Sequence, residues 1–356
     1  MILSSVRHQL IFKTATLCLL ATLLSSPSLA QNQLTGVNLA GAEFAHGTFW
    51  PTAQEITYFT DKGMNVIRIP FLWERMQPSL YGSFNSSQQS GLTTAVERVT
   101  ATGAVAIIDP HNYARRGGSL IGSAQVPDAA FADFWSRLAT LFKDNPRVIF
   151  GLMNEPHSMS TEQWVTSANA AIAAIRDTGA TQRILVPGNA WTGAHSWTQS
   201  WYGTSNSVAM LSIADPDENI VFELHQYFDA DYSGTSSTCE TDHGSDQLVA
   251  VTGWLRNHGF QGFLGEFAGA DNADCRASVE SALDYMDSNR DVWLGWTWWA
   301  AGREWGNYIF TLEPTGGFSV DRPQMSWLLP YIEPVEIFSN GFESGDLEGW
   351  SSQIGG

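Results

Sequence analysis

Two glutamates stand out for where they fall. Glu155 lies in Asn154-Glu155-Pro156 and Glu266 in Gly265-Glu266-Phe267, each as the chain leaves a short apolar run. Proline disfavours the helical region for the residue before it, so Glu155 is expected to be extended. Taken singly, each has a plain structural reading: a loop glutamate, or a buried ion-pair partner with Arg68 as the obvious mate of Glu266. Taken together they are more specific. Two opposed carboxyls of unequal protonation are what cleavage of a glycosidic bond requires, one giving a proton to the leaving oxygen while the other attacks the anomeric carbon. A cation at Arg68 favours the ionised form of the attacking group. The acid needs a raised pKa, from apolar burial or from the first carboxylate.

Other polar residues end or interrupt similar runs: Arg68, Asp109 and His111, Asn154, His225 and Tyr227, and the pair Trp298-Trp299. Such groups are costly inside apolar segments unless paired or hydrogen-bonded. A metal held by His111 and His225 with Asp109 or Glu266 is a competing reading. It is weakened by the absence of any H-x-H or H-E-x-x-H spacing. No G-x-S-x-G elbow supports a serine hydrolase. No cofactor is expected.

The elements that would position these groups recur at a regular beat. Apolar or β-branched runs occupy 34–41, 66–71, 104–112, 148–156, 183–189, 220–227, 262–269 and 292–300. They suit strands buried on both faces, as in parallel sheets. Between them lie amphipathic helix candidates at Ala129–Phe142, Thr161–Asp177, Leu248–His258 and Ala277–Met286, with Thr161 a candidate N-cap. The gap 190–219 holds turn residues and aromatics but no clean helix. Eight strands alternating with helices predict an α/β fold, a single (β/α)8 barrel whose chemistry sits at the C-terminal strand ends. A doubly wound open sheet is disfavoured because no G-x-G-x-x-G turn follows an early strand.

The 356 residues include 36 acidic and 18 basic ones, for a net charge of -18. That balance repels phosphate backbones and anionic lipid, so neither nucleic acid nor a membrane surface is an expected partner. Fifteen Trp and 19 Phe suggest, beyond the core, a ligand with flat apolar faces. Residues 1–30 carry Arg7 and Lys13, an apolar run from Ala15 to Leu24, and a small-residue exit at Ser28-Leu29-Ala30. This describes a secretory signal peptide cleaved near Ala30; the run is too short for a spanning helix. Of the remaining cysteines, Cys239 and Cys275, an exported protein most simply makes one disulfide, against the alternatives of a zinc site or a reactive thiol. The catalytic domain is expected over 31–334. The Gly-, Ser- and acid-rich stretch 335–356 is expected to be a tail rather than a carbohydrate-binding module.

The runs NVIRIPF, IIDPHN, GLMNEP, ELHQYFD, FLGEFAG and GWTWWAAG resemble the strand motifs of glycoside hydrolase family 5, and more narrowly its secreted fungal-type endo-β-1,4-glucanases and their bacterial relatives. The resemblance covers about Leu34 to Pro334. It implies that Glu155 is the acid/base and Glu266 the nucleophile of a retaining double displacement. It implies that Asn154 bonds the sugar 2-hydroxyl and that His225 and Tyr227 position Glu266 and the substrate, while Arg68 and His111 complete the substrate-binding framework. Only one of Trp298 and Trp299 can face the mouth, and the resemblance favours Trp299 beneath the sugar at the cleavage site. Trp191 and Trp197 look like platforms for neighbouring sugars, with packing over the weak gap as the alternative. The disulfide is implied to join the loops after the sixth and seventh strands. One departure is Arg303-Glu304-Trp305, where related enzymes carry aromatics, so an acceptor-side stacking surface is weakened or moved to Trp305. The expected protein is a secreted monomer acting on internal β-1,4-glucosidic bonds. A β-mannanase is the alternative of the same fold, and a non-catalytic glycan-binding barrel the alternative of another class.

Overall fold

A computed structural model of the chain describes residues 33–44 and 49–332. The expected signal peptide and C-terminal tail lie outside the described residues. Eight parallel strands close into a barrel: β1 Leu34–Leu39, β2 Val66–Phe71, β3 Val105–Pro110, β4 Val148–Gly151, β5 Ile184–Pro187, β6 Ile220–His225, β7 Gly262–Glu266 and β8 Trp293–Ala301. Each strand pairs with its sequence neighbour, and β8 closes on β1. Seven fall within the apolar runs of the sequence, and β8 passes the end of its run by one residue, Ala301.

The principal helices outside the barrel are α1 Ala53–Thr60, α2 Ser86–Ala101, α3 Asp128–Phe142, α4 Thr161–Arg176, α5 Asp246–His258 and α6 Ala273–Asp287. Helix α3 buries Phe131, Phe134, Trp135, Leu138 and Phe142, the stripe its periodicity predicts. The N-cap of α4 is Ser160 rather than Thr161, with the Ser160 hydroxyl accepting from the Gln163 amide at 3.2 Å. Thr161 is instead the first helical residue, buried against the 202 backbone through its own amide. Neither α1 nor α2 was among the expected helices. The first is short and carries a Thr52–Glu55 capping box. The second is largely polar, with an apolar stripe of only Leu92, Ala95, Val96 and Val99. The 190–219 gap holds only short helical turns, at Ala190–Thr192, Asn206–Ala209 and Met210–Ser212.

Inside the barrel, strand period two sets the layers. Val66, Ile107, Ile149, Leu185, Val221, Phe263 and Leu294 form an apolar plug. Two residues further along β2, β3 and β6 stand Arg68, Asp109 and Glu223, all fully buried. The ionisable floor of the site therefore rests on a dry base. Cys239, in the loop after β6, is bonded to Cys275 in the first turn of α6. Among the described residues no helix is long and apolar enough to cross a membrane.

Candidate active site

Arg68 is the hub of the barrel mouth. Its guanidinium lies 3.0 Å from Glu223, 3.1 Å from Asp109 and 3.1 Å from Glu266. It also donates to Asn38 Oδ1 and Asn154 Oδ1, both at 2.9 Å. Three carboxylates around one cation make a cluster that would be ruinous if any member were left unpaired. The arginine is 0% exposed. It thus lies beneath the cleft, where it binds the carboxylates and amides that surround it. The reason is its position third in β2, a full layer below the strand end.

Glu155, His225 and Glu266 converge directly above it. His225 Nδ1 is 2.7 Å from Glu155 Oε1 and 3.6 Å from Glu266 Oε2. One oxygen of each glutamate and one imidazole nitrogen all lie within 4.8 Å of one another. Tyr227 donates its hydroxyl to Glu266 Oε2 at 2.8 Å. The other nitrogen of His225, Nε2, is 3.4 Å from Glu223 Oε1. Glu155 departs from the expected extended backbone: its φ is 42°, in the left-handed region. Proline excludes only the right-handed helical region for its predecessor, and this strained alternative tips the carboxyl toward His225 at a cost of about 1–3 kcal/mol.

The electrostatics follow from this crowding. Burial alone would lower the His225 pKa, but Glu266, Glu155 and Glu223 push it up to about 10, so the ring is an imidazolium at neutral pH. Burial raises the Glu266 carboxyl above its ordinary range; the charge of Glu155 adds to this, while His225, Arg68 and His111 act in the opposite sense. Burial also raises the Tyr227 hydroxyl, keeping it a donor. The His111 ring, though desolvated, is raised by Asp109, whose Oδ2 lies 2.8 Å from Nδ1. Glu155, His225 and Glu266 are spaced to hold a cation. However, Arg68 and the imidazolium already supply the positive charge that a metal would bring.

The cleft walls are aromatic. Trp299 stacks on His111 with centroids 5.0 Å apart and 15° between planes, and meets the edge of Trp305 at 5.8 Å. Trp298 points the other way, fully buried, with Nε1 donating to Phe310. On the opposite wall Trp191 is 38% exposed and stacks on His157 at 4.5 Å and 8°. Trp197 is not a platform: it is 0% exposed and packs on Phe222 and Trp254. Arg303 turns away from the cleft to Glu55 and the face of Phe49, while Trp305 braces Trp299. Asn154 Nδ2 is buried and has no hydrogen-bond partner among the described residues.

Asn38 and Glu223 belong to the site but were not among the expected residues. Asn38 donates to the backbone of Gly265 at 2.9 Å and of Trp298 at 3.1 Å, tying β1 to both neighbours of the site. The available signal was parity. Glu223 is two residues before His225 on one face of the same strand, and Asn38 interrupts an apolar run.

The comparisons with known proteins agree with this geometry. Residues 28–302 match the family model described as Cellulase (glycosyl hydrolase family 5). Endo-beta-1,4-glucanase A of Emericella nidulans is 42% identical over 318 residues, 85% of this chain and 94% of that one. Among solved structures, XacCel5A in complex with cellopentaose is 48% identical with a TM-score of 0.82, covering 84% of this chain and 99% of that one. Cel5A (EG2) from Hypocrea jecorina is 30% identical with a TM-score of 0.78, covering 85% and 98%. A family match over most of the chain, and relatives aligned over nearly their whole length, agree with a barrel that brings two glutamates together over a buried arginine: the chain belongs to glycosyl hydrolase family 5, among its cellulases.

Proposed function

We propose that the protein is an endo-β-1,4-glucanase that hydrolyses internal bonds of cellulose and related β-glucans with retention, Glu266 being the nucleophile and Glu155 the acid/base. The observation that carries this reading is that the two carboxyls converge, one oxygen of each lying within 4.8 Å of the other. Retaining enzymes place them about 5–5.5 Å apart, whereas inversion needs about 6.5–9.5 Å to admit a water. The neighbours support the division of roles. Glu266 is held by Arg68 and Tyr227 deep in the mouth, as an attacking group must be. Glu155 retains 14% side-chain exposure at the rim, where a leaving group departs and water enters.

In the first step Glu266 attacks the anomeric carbon while Glu155 gives its proton to the glycosidic oxygen, releasing one sugar chain and leaving a glycosyl ester on Glu266. In the second, Glu155, now a carboxylate, takes a proton from water as the water oxygen displaces Glu266. Both groups return to their starting states. His225, hydrogen-bonded to Glu155 through Nδ1, holds the acid/base in place. The unpartnered Asn154 Nδ2 suits the sugar 2-hydroxyl, His111 and Trp299 the underside of the sugar at the cleavage site, and Trp191 a neighbouring unit. The cellopentaose bound by a structural neighbour makes a linear β-1,4-glucan the fitting substrate class. We further infer a secreted monomer, with residues 1–30 removed at export, 31–334 as the catalytic domain and 335–356 as a tail.

The test is to follow viscosity and reducing ends together on carboxymethylcellulose, with galactomannan and xyloglucan alongside. A fast viscosity drop with few new ends, confined to the cellulose derivative, is the expected result. Cleavage of galactomannan alone would move the substrate to mannan, and silence on all three would indicate a glycan-binding barrel without turnover.

A further inference from the structure

Tyr227 owes its place to a loop that lies beyond the reacting groups. Asp229, two residues on, is 2% exposed, and its carboxylate is held by neutral donors. Its Oδ1 accepts from the Gly234 amide at 3.0 Å, and Oδ2 from the amides of Thr235 at 3.0 Å and Ser236 at 3.1 Å and the Ser233 hydroxyl at 3.2 Å. Four donors on one buried carboxylate fix the turn 229–236 and compensate the charge. The turn brings Gly234, at φ 68°, against the Tyr227 ring: a Cβ at this position would fall 2.6 Å from Cδ1 and 2.7 Å from Cε1. Only glycine tolerates both the left-handed backbone and that approach. Within the turn, the Tyr232 ring is stacked between His195 at 3.9 Å and His243 at 4.4 Å. The Cys239–Cys275 bond then closes the loop onto α6.

We propose that Asp229 and Gly234 are positioning residues for the nucleophile, acting through Tyr227. The carboxylate shapes the turn, the turn sets the tyrosine ring, and the ring sets the hydroxyl on Glu266 Oε2. This rests on the reading of Glu266 as nucleophile. A hydrogen bond is lost steeply with misalignment, so a displacement of well under 1 Å at the ring is enough to weaken the contact.

A double-mutant cycle on kcat tests the route, with melting curves and the intact disulfide checked for every variant. Tyr227→Phe removes the bond outright and is expected to lower kcat by about tenfold to a hundredfold, the worth of a hydrogen bond to a charged group. Gly234→Ala and Asp229→Ala are expected to lose a similar factor while KM stays within about twofold, as for an interaction made chiefly in the transition state. Asp229→Asn, which keeps one acceptor oxygen, is expected to recover part of the rate. In the Tyr227→Phe background Gly234→Ala is expected to cost nothing further, because both changes break one path. Should Asp229→Ala fail to fold, the Gly234→Ala pair completes the cycle alone. Wild-type kcat in Gly234→Ala or in Tyr227→Phe, or full additivity in the double variant, would overturn the proposal. An active Glu266→Gln would instead sink the underlying reading, so the two failures are distinguishable.

Discussion

His225 Nδ1 and Glu155 Oε1 are 2.7 Å apart, a hydrogen bond across 70 residues of sequence that joins the end of β6 to the segment after β4. It places Glu155 in a relay of polar contacts running through His225 to Glu223 and Arg68.

The relay has a consequence for stability. The His225 pKa is raised from 6.5 to about 10 on folding, so its stabilising contribution is complete below pH 6.5 and is lost as the pH rises through about 10. Urea midpoints are therefore expected to fall between those values. In His225→Gln the slope over the same window is expected to flatten. An unchanged slope would show that the ring is neutral in the folded protein.

The two glutamates are separable by their failures. Glu155→Ala is expected to lose about 10²–10⁴-fold in turnover of cellulose, the usual worth of general acid–base assistance. It is expected to keep the first step on a substrate with a good leaving group, and added azide restores turnover as a β-glycosyl azide. Product analysis by NMR checks this, and an α-product would contradict the assigned face.

Arg68 predicts a stability effect larger than any expected at the cleft walls. Arg68→Met leaves Asp109, Glu223 and Glu266 without their shared cation, at a cost of about 3–5 kcal/mol. Denaturant unfolding at neutral pH measures it, and the loss should shrink in acid as the carboxyls protonate. A loss below 1 kcal/mol, estimated from the scale of surface pairs, would mean the cluster is not held by charge.

The Cys239–Cys275 bond closes a 36-residue separation. By chain entropy its removal in the double alanine variant is expected to cost about 3–4 kcal/mol. Thermal melts of the oxidised and alanine forms give the comparison.

Much of this was legible in the chain because barrel strands announce themselves as apolar runs, and because Asn154-Glu155 and Glu266 end two of them. What escaped has a common cause. Depth inside a barrel depends on stagger between strands, which no single run encodes, so Arg68 was placed at the rim when it belongs under it. Its bond to Glu266 spans 198 residues. Trp191 and Trp197 sit in one loop with similar neighbours, yet only tertiary packing against Phe222 and Trp254 buries the second. Glu155 was expected to be extended on a rule that forbids one region and leaves two open. Glu223 went unremarked because its place in the site comes only from Arg68 and His225 closing around it in the fold.

The most direct test of the central claim is covalent trapping. The enzyme is incubated with an activated 2-deoxy-2-fluoro cellobioside, digested, and its peptides are read by mass spectrometry. The expected result is a single stable adduct, an ester on Glu266, and none in Glu266→Gln. A label on Glu155, or inactivation-free turnover with inverted product, would contradict it.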